Sequence, residues 1–278
     1  MTNQFMTITG ASDRMAQRYL KSHSYKLDQA VDSYFEHNPS LERPGVGSKS
    51  TLNSLFDTLV PSSDETKSIG LDATLSYVSK LGFEPDDIEI LILFEIVQSP
   101  TLGQITREGF VEGWAKVGQN GATVPTDLKA QSRHIRTLVP SLSSDRGFFR
   151  RVYRHTFLVG REENQRALAL DTAKSYWELL FGPTGFNWTG PSGKSWLGVW
   201  KAFLDDKWTR TVSKDMWNQT LEFAYKTIED ESLSFWTEDG AWPGVIDEFV
   251  VWAKEKGHVV VAVGGGGGGG GGGMEVDT

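Results

Sequence analysis

The sequence predicts an all-α protein: a small three-helix unit at the N-terminus, then a larger helical domain. Three observations predict it. Apolar residues recur at 3.6-residue spacing in segment after segment. Glycine, proline and small polar residues gather between those segments, where helices stop and chains turn. Finally, 38% hydrophobic and 12% aromatic residues in a chain of 278 suffice for a sizeable core plus something smaller. Nine of the ten tryptophans follow residue 176, so the heaviest packing is expected in the C-terminal part.

Residues 1–38 read as the small unit. Gln4 to Ile8 form a first helix with Phe5 and Ile8 facing inward, and Gly10-Ala11 a turn. Ser12 caps a second helix carrying Met15, Tyr19 and Leu20. Leu27, Ala30, Val31, Tyr34 and Phe35 give a third. Residues 39–50, NPSLERPGVGSKS from Asn38, have the composition of a linker.

The main domain is expected over 51–256. Leu52, Leu55, Phe56 and Leu59 mark its first helix, and PSSDETKSIG a loop. Leu71 to Leu81 is helical with Gly82 as its stop, Asp86 to Ile96 is a strongly apolar helix, and Arg107 to Val117 another. These helix–loop–helix pairs invite a calcium reading. With Ile69 at the apolar eighth position of an EF-hand loop, Ser62, Asp64 and Thr66 take ligand positions. Lys67 then stands where glycine is needed, and Ala73 where a bidentate glutamate is needed. With Ile105 as the second anchor, the ligand positions are Gln98, Pro100 and Leu102, and Gly109 closes the loop. Neither loop has the donors for a hard cation, so an EF-hand-like frame without metal is expected.

Residues 119–135 show little pattern; helix returns over Phe148 to Val159, and again with Leu168, Ala173, Trp177 and Leu180. FGPTGFNWTGPSGKSW, around 182–195, reads as a surface loop. Its Gly193-Lys194-Ser195 lacks the glycine five positions earlier that a phosphate-binding loop requires, since Trp188 is there. Trp196, Trp200 and Phe203 open a further helix.

From Ser213 to Lys256 the signals are clearest. Ser213 is an N-cap, Asp215 lies in the first turn, and Trp217, Leu221, Ala224 and Ile228 form one apolar stripe. The helix ends in the acidic segment Glu229 to Ser234; a turn at Glu238-Asp239-Gly240 leads to Ala241-Trp242-Pro243. Pro243 opens a last helix with Ile246, Phe249, Val250 and Ala253 on its buried face and Asp247 beside it. Residues 257–278, with ten consecutive glycines from Gly264 to Gly273, form a flexible tail.

Composition narrows the chemistry. A formal charge of −8 without Lys/Arg-rich runs argues against nucleic acid and fits basic protein surfaces. No membrane span or signal peptide is evident, so a soluble intracellular protein is expected, with the nucleus and cytoplasm as its expected location. The absence of cysteine removes disulfides, thioester-forming nucleophiles and Cys-based zinc sites together. His23, His37, His134, His155 and His258 are scattered without motif partners, and His155 reads as a packed helix histidine. No catalytic residue, metal or cofactor is expected.

DMWNQTLEF followed by EDGAWPGVIDEFV resembles the end of the potentiating-neddylation (PONY) domain of the defective-in-cullin-neddylation family. Residues 1–38 resemble the ubiquitin-associated (UBA-like) domain that precedes it. The PONY family is known for the metal-free EF-hand-like frame expected above. The resemblance implies that Asp215, Ala241 and Asp247 bind the C-terminal winged-helix region of a cullin. It also implies an apolar pocket of Ile90, Leu93, Val97, Val159 and Leu179 for the acetylated N-terminus of the neddylation E2. Such a protein acts as a scaffold-type ligase (co-E3), holding the E2 thioester near the acceptor lysine. The alternative is a non-catalytic ubiquitin- and cullin-binding adaptor. Ubiquitin binding through the UBA-like unit is expected to be weak, because Thr9-Gly10-Ala11 replaces the Met-Gly-Phe-type loop of many ubiquitin binders.

Overall fold

A computed structural model describes residues 1–38, 46–61, 67–119, 122–162 and 164–259. Among the described residues the chain is mostly helical, with four two-residue strands paired in twos. It divides into two compact units, one of residues 1–187 and 210–218, the other of residues 188–209 and 219–278.

The first unit opens with α1 (Thr2–Thr9), α2 (Asp13–Ser22) and α3 (Leu27–His37). Their cluster is built on Phe5, Ala16, Leu20, Ala30, Tyr34 and Phe35, with the Phe5 and Tyr34 rings edge to face at 5.6 Å. Ile8 departs from expectation: it is 37% exposed, and Thr9 faces inward instead, its hydroxyl donating to the Phe5 carbonyl. Residues 5 and 9 lie one above the other on the helix, so the buried face runs through that pair. Gly10 follows at φ 66°, a left-handed conformation that ends α1.

α4 (Val46–Asp57) begins inside the stretch expected as linker; residues 39–45 lie outside the described residues. Next come β1 (Ser68–Ile69), α5 (Leu71–Leu81), α6 (Ile88–Ile96), β2 (Ile105–Thr106) and α7 (Arg107–Val117). β1 and β2 pair antiparallel with Ile69 opposite Ile105, the two residues taken as loop anchors, both fully buried. Ser62, Asp64 and Thr66 lie outside the described residues. α4 packs on α7, where Arg107 bonds Asp57 at 2.7 Å and covers the Phe56 ring. α6 carries apolar residues around most of its circumference, and Ile88 and Ile90 to Phe94 are buried, while Glu89 and Glu95 are half-buried. At Gly113 on α7, any Cβ would collide with the Ile96 carbonyl, so glycine permits that helix approach.

α8 (Leu128–Leu138), α9 (Ser141–Ser144), α10 (Arg146–Gly160), β3 (Ala167–Leu168), α11 (Leu170–Leu180) and β4 (Val212–Ser213) complete the unit, with the start of α13 (Lys214–Glu229). α8 lies in the segment that shows little sequence pattern. Its buried stripe contains Gln131 beside Ile135, and that glutamine is satisfied by the Tyr77 hydroxyl at 2.7 Å and the Pro125 carbonyl. A polar residue that the fold itself satisfies breaks the apolar periodicity. β3 pairs with β4, Leu168 opposite Val212, so Leu168 belongs to a strand and not to the helix expected there. This is a second frame of the same kind, and one that the sequence did not announce. Tyr153, Trp177 and Trp217 form the centre. Trp217 stacks on both rings, at 4.5 and 5.2 Å, and their polar groups bond one another at 2.8–2.9 Å.

The second unit holds α12 (Trp196–Lys207), the later turns of α13 and α14 (Gly244–Glu255). Trp200, Phe203, Phe223 and Phe249 interlock at its core. The segment around 182–195 is more than a surface loop. Trp188 is fully buried and donates to Thr227 Oγ1 at 2.7 Å, and Thr189 bridges Ser195. Glu231 accepts bonds from the Ser192 amide and hydroxyl and from the Trp196 indole. On α13, Ile228 is only half-buried, and Thr227, which bonds Trp188, takes the inner position. Pro243 precedes α14 as its N-cap instead of opening it. Of the Gly-rich tail, residues 260–278 lie outside the described residues.

Candidate functional site

In the second unit, α13 ends at Glu229 and Asp230 organises the turn after it. Its carboxylate accepts from the amides and hydroxyls of both Ser232 and Ser234, which holds its pKa down at about 2. Leu233, held between those serines at φ 55°, is buried. The chain turns at Thr237–Gly240, leaves Ala241 exposed and enters α14. Asp247 sits in the first turn of α14, where the helix's exposed N–H groups favour a carboxylate. It is half-buried, and its Oδ1 accepts a 2.8 Å bond from the Trp236 indole. Lys254 covers the other part of that indole, 4.4 Å from the ring centroid.

Asp247 also borders a groove of about 390 Å³ whose apolar lining includes Phe203, Trp236, Val251 and Trp252. Glu238, Glu248 and Glu255 rim it, against a single cation, Lys207. An apolar floor under an acidic rim suits a basic segment that carries an apolar side chain. Trp236 is a site residue that sequence reasoning misses. Its spacing of eleven residues from Asp247, across a loop, carries no periodic signal.

Asp215 belongs to the first unit. It is exposed in the first turn of α13, and the predicted Ser213 cap forms: Ser213 Oγ accepts from the Met216 amide at 3.1 Å.

The apolar candidates are placed differently. Ile90 and Leu93 lie on α6, Val97 is its C-cap, and Val159 lies on α10, which packs against α6. These four are between 0% and 6% exposed; Leu179, on α11, is half-buried. The Val159 carbonyl accepts from the Leu102 amide, tying the loop after α6 to the end of α10. One turn before Val159, His155 is half-buried, and burial holds its pKa below the usual histidine value. Its Nε2 has no hydrogen-bond partner among the described residues.

The second pair of frames has loops as poor in ligands as the first. Anchoring on Leu168 puts Thr172 at the closing position, and anchoring on Val212 puts Met216 there. Among the described residues, no group of three or more acidic or histidine side chains is placed to hold a metal ion.

Residues 130–252 match the domain family described as cullin binding, a span that contains Asp215, Ala241 and Asp247. Residues 2–40 match the UBA-like domain. The chain is 40% identical to Defective in cullin neddylation protein 1 of Pyricularia oryzae, over 100% of this chain and 97% of that one. It is 33% identical to the protein of the same name from Yarrowia lipolytica, over 90% and 94%. With DCN1-like protein 5 of Rattus norvegicus it shares 33% identity over 67% and 71%. A relative this similar along the whole chain fixes the family, and this protein belongs to the defective-in-cullin-neddylation family.

Proposed function

We propose that this protein binds a cullin and promotes its neddylation as a scaffold, presenting the modifier-charged E2 to the cullin's acceptor lysine. The single observation that carries this reading is family membership over the full chain, with the cullin-binding match spanning both helix starts that bear the acidic residues. Asp215, Ala241 and Asp247 are the proposed cullin contacts, directed at the winged-helix region. Each is exposed or half-buried, so basic side chains reach both carboxylates, and the small Ala241 admits a close approach without steric cost. Isolated surface pairs are worth only about 0–1 kcal/mol each, so the apolar groove beside Asp247 is needed to add affinity.

The acetylated N-terminus of the neddylation E2 is the proposed second ligand, at Ile90, Leu93, Val97, Val159 and Leu179. Acetylation removes the terminal charge, so the chain end enters an apolar site without desolvating an ammonium. Because four of these residues are buried, binding there requires the helices around α6 to part slightly; Leu179 is the half-buried member of the set. Catalysis then comes from proximity alone. The UBA-like unit is proposed to bind ubiquitin weakly. The protein is proposed to work in the nucleus and cytoplasm.

A reconstituted reaction of E1, E2, modifier and cullin, with and without this protein, tests the reading. The expected outcome is a faster cullin modification that collapses in the triple variant Asp215→Ala, Ala241→Arg, Asp247→Ala. Cullin bound with no change in rate would favour the adaptor, and unchanged cullin affinity in the triple variant would remove the assigned patch.

A further inference from the structure

We propose that the groove between α5 and α8 docks an acidic polypeptide segment of a partner protein. The groove, about 640 Å³, is lined by Lys80, Lys129, Arg133 and Arg136, with Leu81 and Leu128 among its apolar walls. It lies within the first unit and shares no residue with either site proposed above.

The groove is basic although the protein as a whole carries a net charge of −8. α8 carries Lys129, Arg133 and Arg136 and no carboxylate. Lys129 and Arg133 are four residues apart, and Arg133 and Arg136 three, so neighbours on one helix face repel one another and weaken the helix. Lys80, at the end of α5, adds a fourth cation from the facing wall. Lys80, Lys129 and Arg133 are exposed and have no ion-pair partner among the described residues. Asp127, the nearest carboxylate in sequence to α8, is engaged as its N-cap by the Ala130 amide.

The walls are also fixed in place. The Ser132 hydroxyl donates to the Leu81 carbonyl at 2.7 Å, and Arg136 Nη2 donates to the Gly82 carbonyl at 2.9 Å. The Arg136 guanidinium lies over the Phe83 ring, and below it the Tyr77–Gln131 bond joins the two helices within the core. Side chains of α8 thus occupy the carbonyls at the end of α5 that would otherwise attract the free cations. Three cations are left facing solvent around a preformed, partly apolar groove.

Charge and size define the occupant. An acidic segment of a few residues places its carboxylates against Lys80, Lys129 and Arg133 and an apolar side chain against Leu81 and Leu128. The apolar walls favour a peptide over RNA, because Leu81 and Leu128 give an apolar side chain a place to bury that a sugar-phosphate backbone cannot use.

The test is a titration of the isotopically labelled full chain, monitored by NMR. The probe is a Glu/Asp-rich octapeptide with two leucines, blocked at both ends. We expect shifts confined to residues around Lys80–Gly82 and Leu128–Thr137, with affinity falling as salt rises. The Lys129→Glu/Arg133→Glu pair should weaken binding by about tenfold or more, and the Gln/Asn analogue of the peptide should not bind. Circular dichroism checks the fold, and Lys129→Gln/Arg133→Gln replaces the reversal should that variant misfold. Shifts mapping elsewhere, no saturable binding, unchanged affinity in both variants, or tighter binding of single-stranded RNA would overturn the proposal. Cullin modification should be retained in these variants, which separates this outcome from that of the scaffold reading.

Discussion

The Trp236 indole N–H donates to Asp247 Oδ1 at 2.8 Å, tying the loop after α13 to the first turn of α14. One oxygen of Asp247 is thereby held in place in the first turn of α14. Trp236→Phe keeps the ring under Lys254 and removes only this bond. It is expected to weaken cullin binding by about 2- to 10-fold, the scale of one ordinary net hydrogen bond, because the bond positions the carboxylate and is not itself a contact to the cullin. Asp247→Ala should weaken it more. Calorimetry with the isolated winged-helix region measures both, and a cullin affinity insensitive to Trp236→Phe would show that Asp247 needs no such support.

A peptide with the acetylated E2 N-terminus should bind at least about tenfold more tightly than the free-amine peptide, given the cost of burying an unpaired ammonium. Leu93 is fully buried, so Leu93→Asp would unfold the domain and teach nothing about the pocket. Leu179→Asp, at the half-buried member of the set, is the better variant. It should abolish peptide binding while the melting temperature falls only modestly. Equal affinity for the two peptides by calorimetry would remove the pocket.

Calcium at millimolar concentration, or a chelator, should leave the melting temperature unchanged. Each of the four loop frames ends in Ala73, Gly109, Thr172 or Met216, where a bidentate glutamate would be needed. A reproducible upward shift with calcium would contradict this assignment of the loops.

Asp230 provides a pH signature. Its folded pKa is about 2, below the ordinary 3.8, because four donors from Ser232 and Ser234 favour the carboxylate. The group therefore contributes stability that is present above about pH 4 and is lost as pH falls towards 2. Asp230→Asn should lower the melting temperature at pH 7 and flatten its dependence on pH in that window. Because the site is largely exposed to solvent, the effect should be small. A wild-type and variant difference that does not change between pH 5 and pH 2 would exclude the linkage.

The sequence by itself determined the helical class, several of the helix starts and stops, and the family. Those features are local: Ser213 caps α13 through its own hydroxyl, Gly82 ends α5 at φ 78°, and the 3.6-residue stripes of α3 and α14 need no distant partner to be seen. The loop anchors Ile69 and Ile105 were legible for the same reason, since an eighth-position apolar residue is a fixed offset within one loop. Only the tertiary structure decided the rest. Gln131 and Thr227 are polar yet buried because Tyr77 and Trp188, 54 and 39 residues away, satisfy them, so periodicity hid the inner face of α8 and put Ile228 where Thr227 belongs on α13. Trp236 reaches Asp247 across a loop, and the cations of α5 and α8 converge although more than forty residues separate them. Side-chain hydrogen bonds and charges act through space, whereas hydrophobic periodicity is written along the chain; the first kind becomes readable only when the helices have packed.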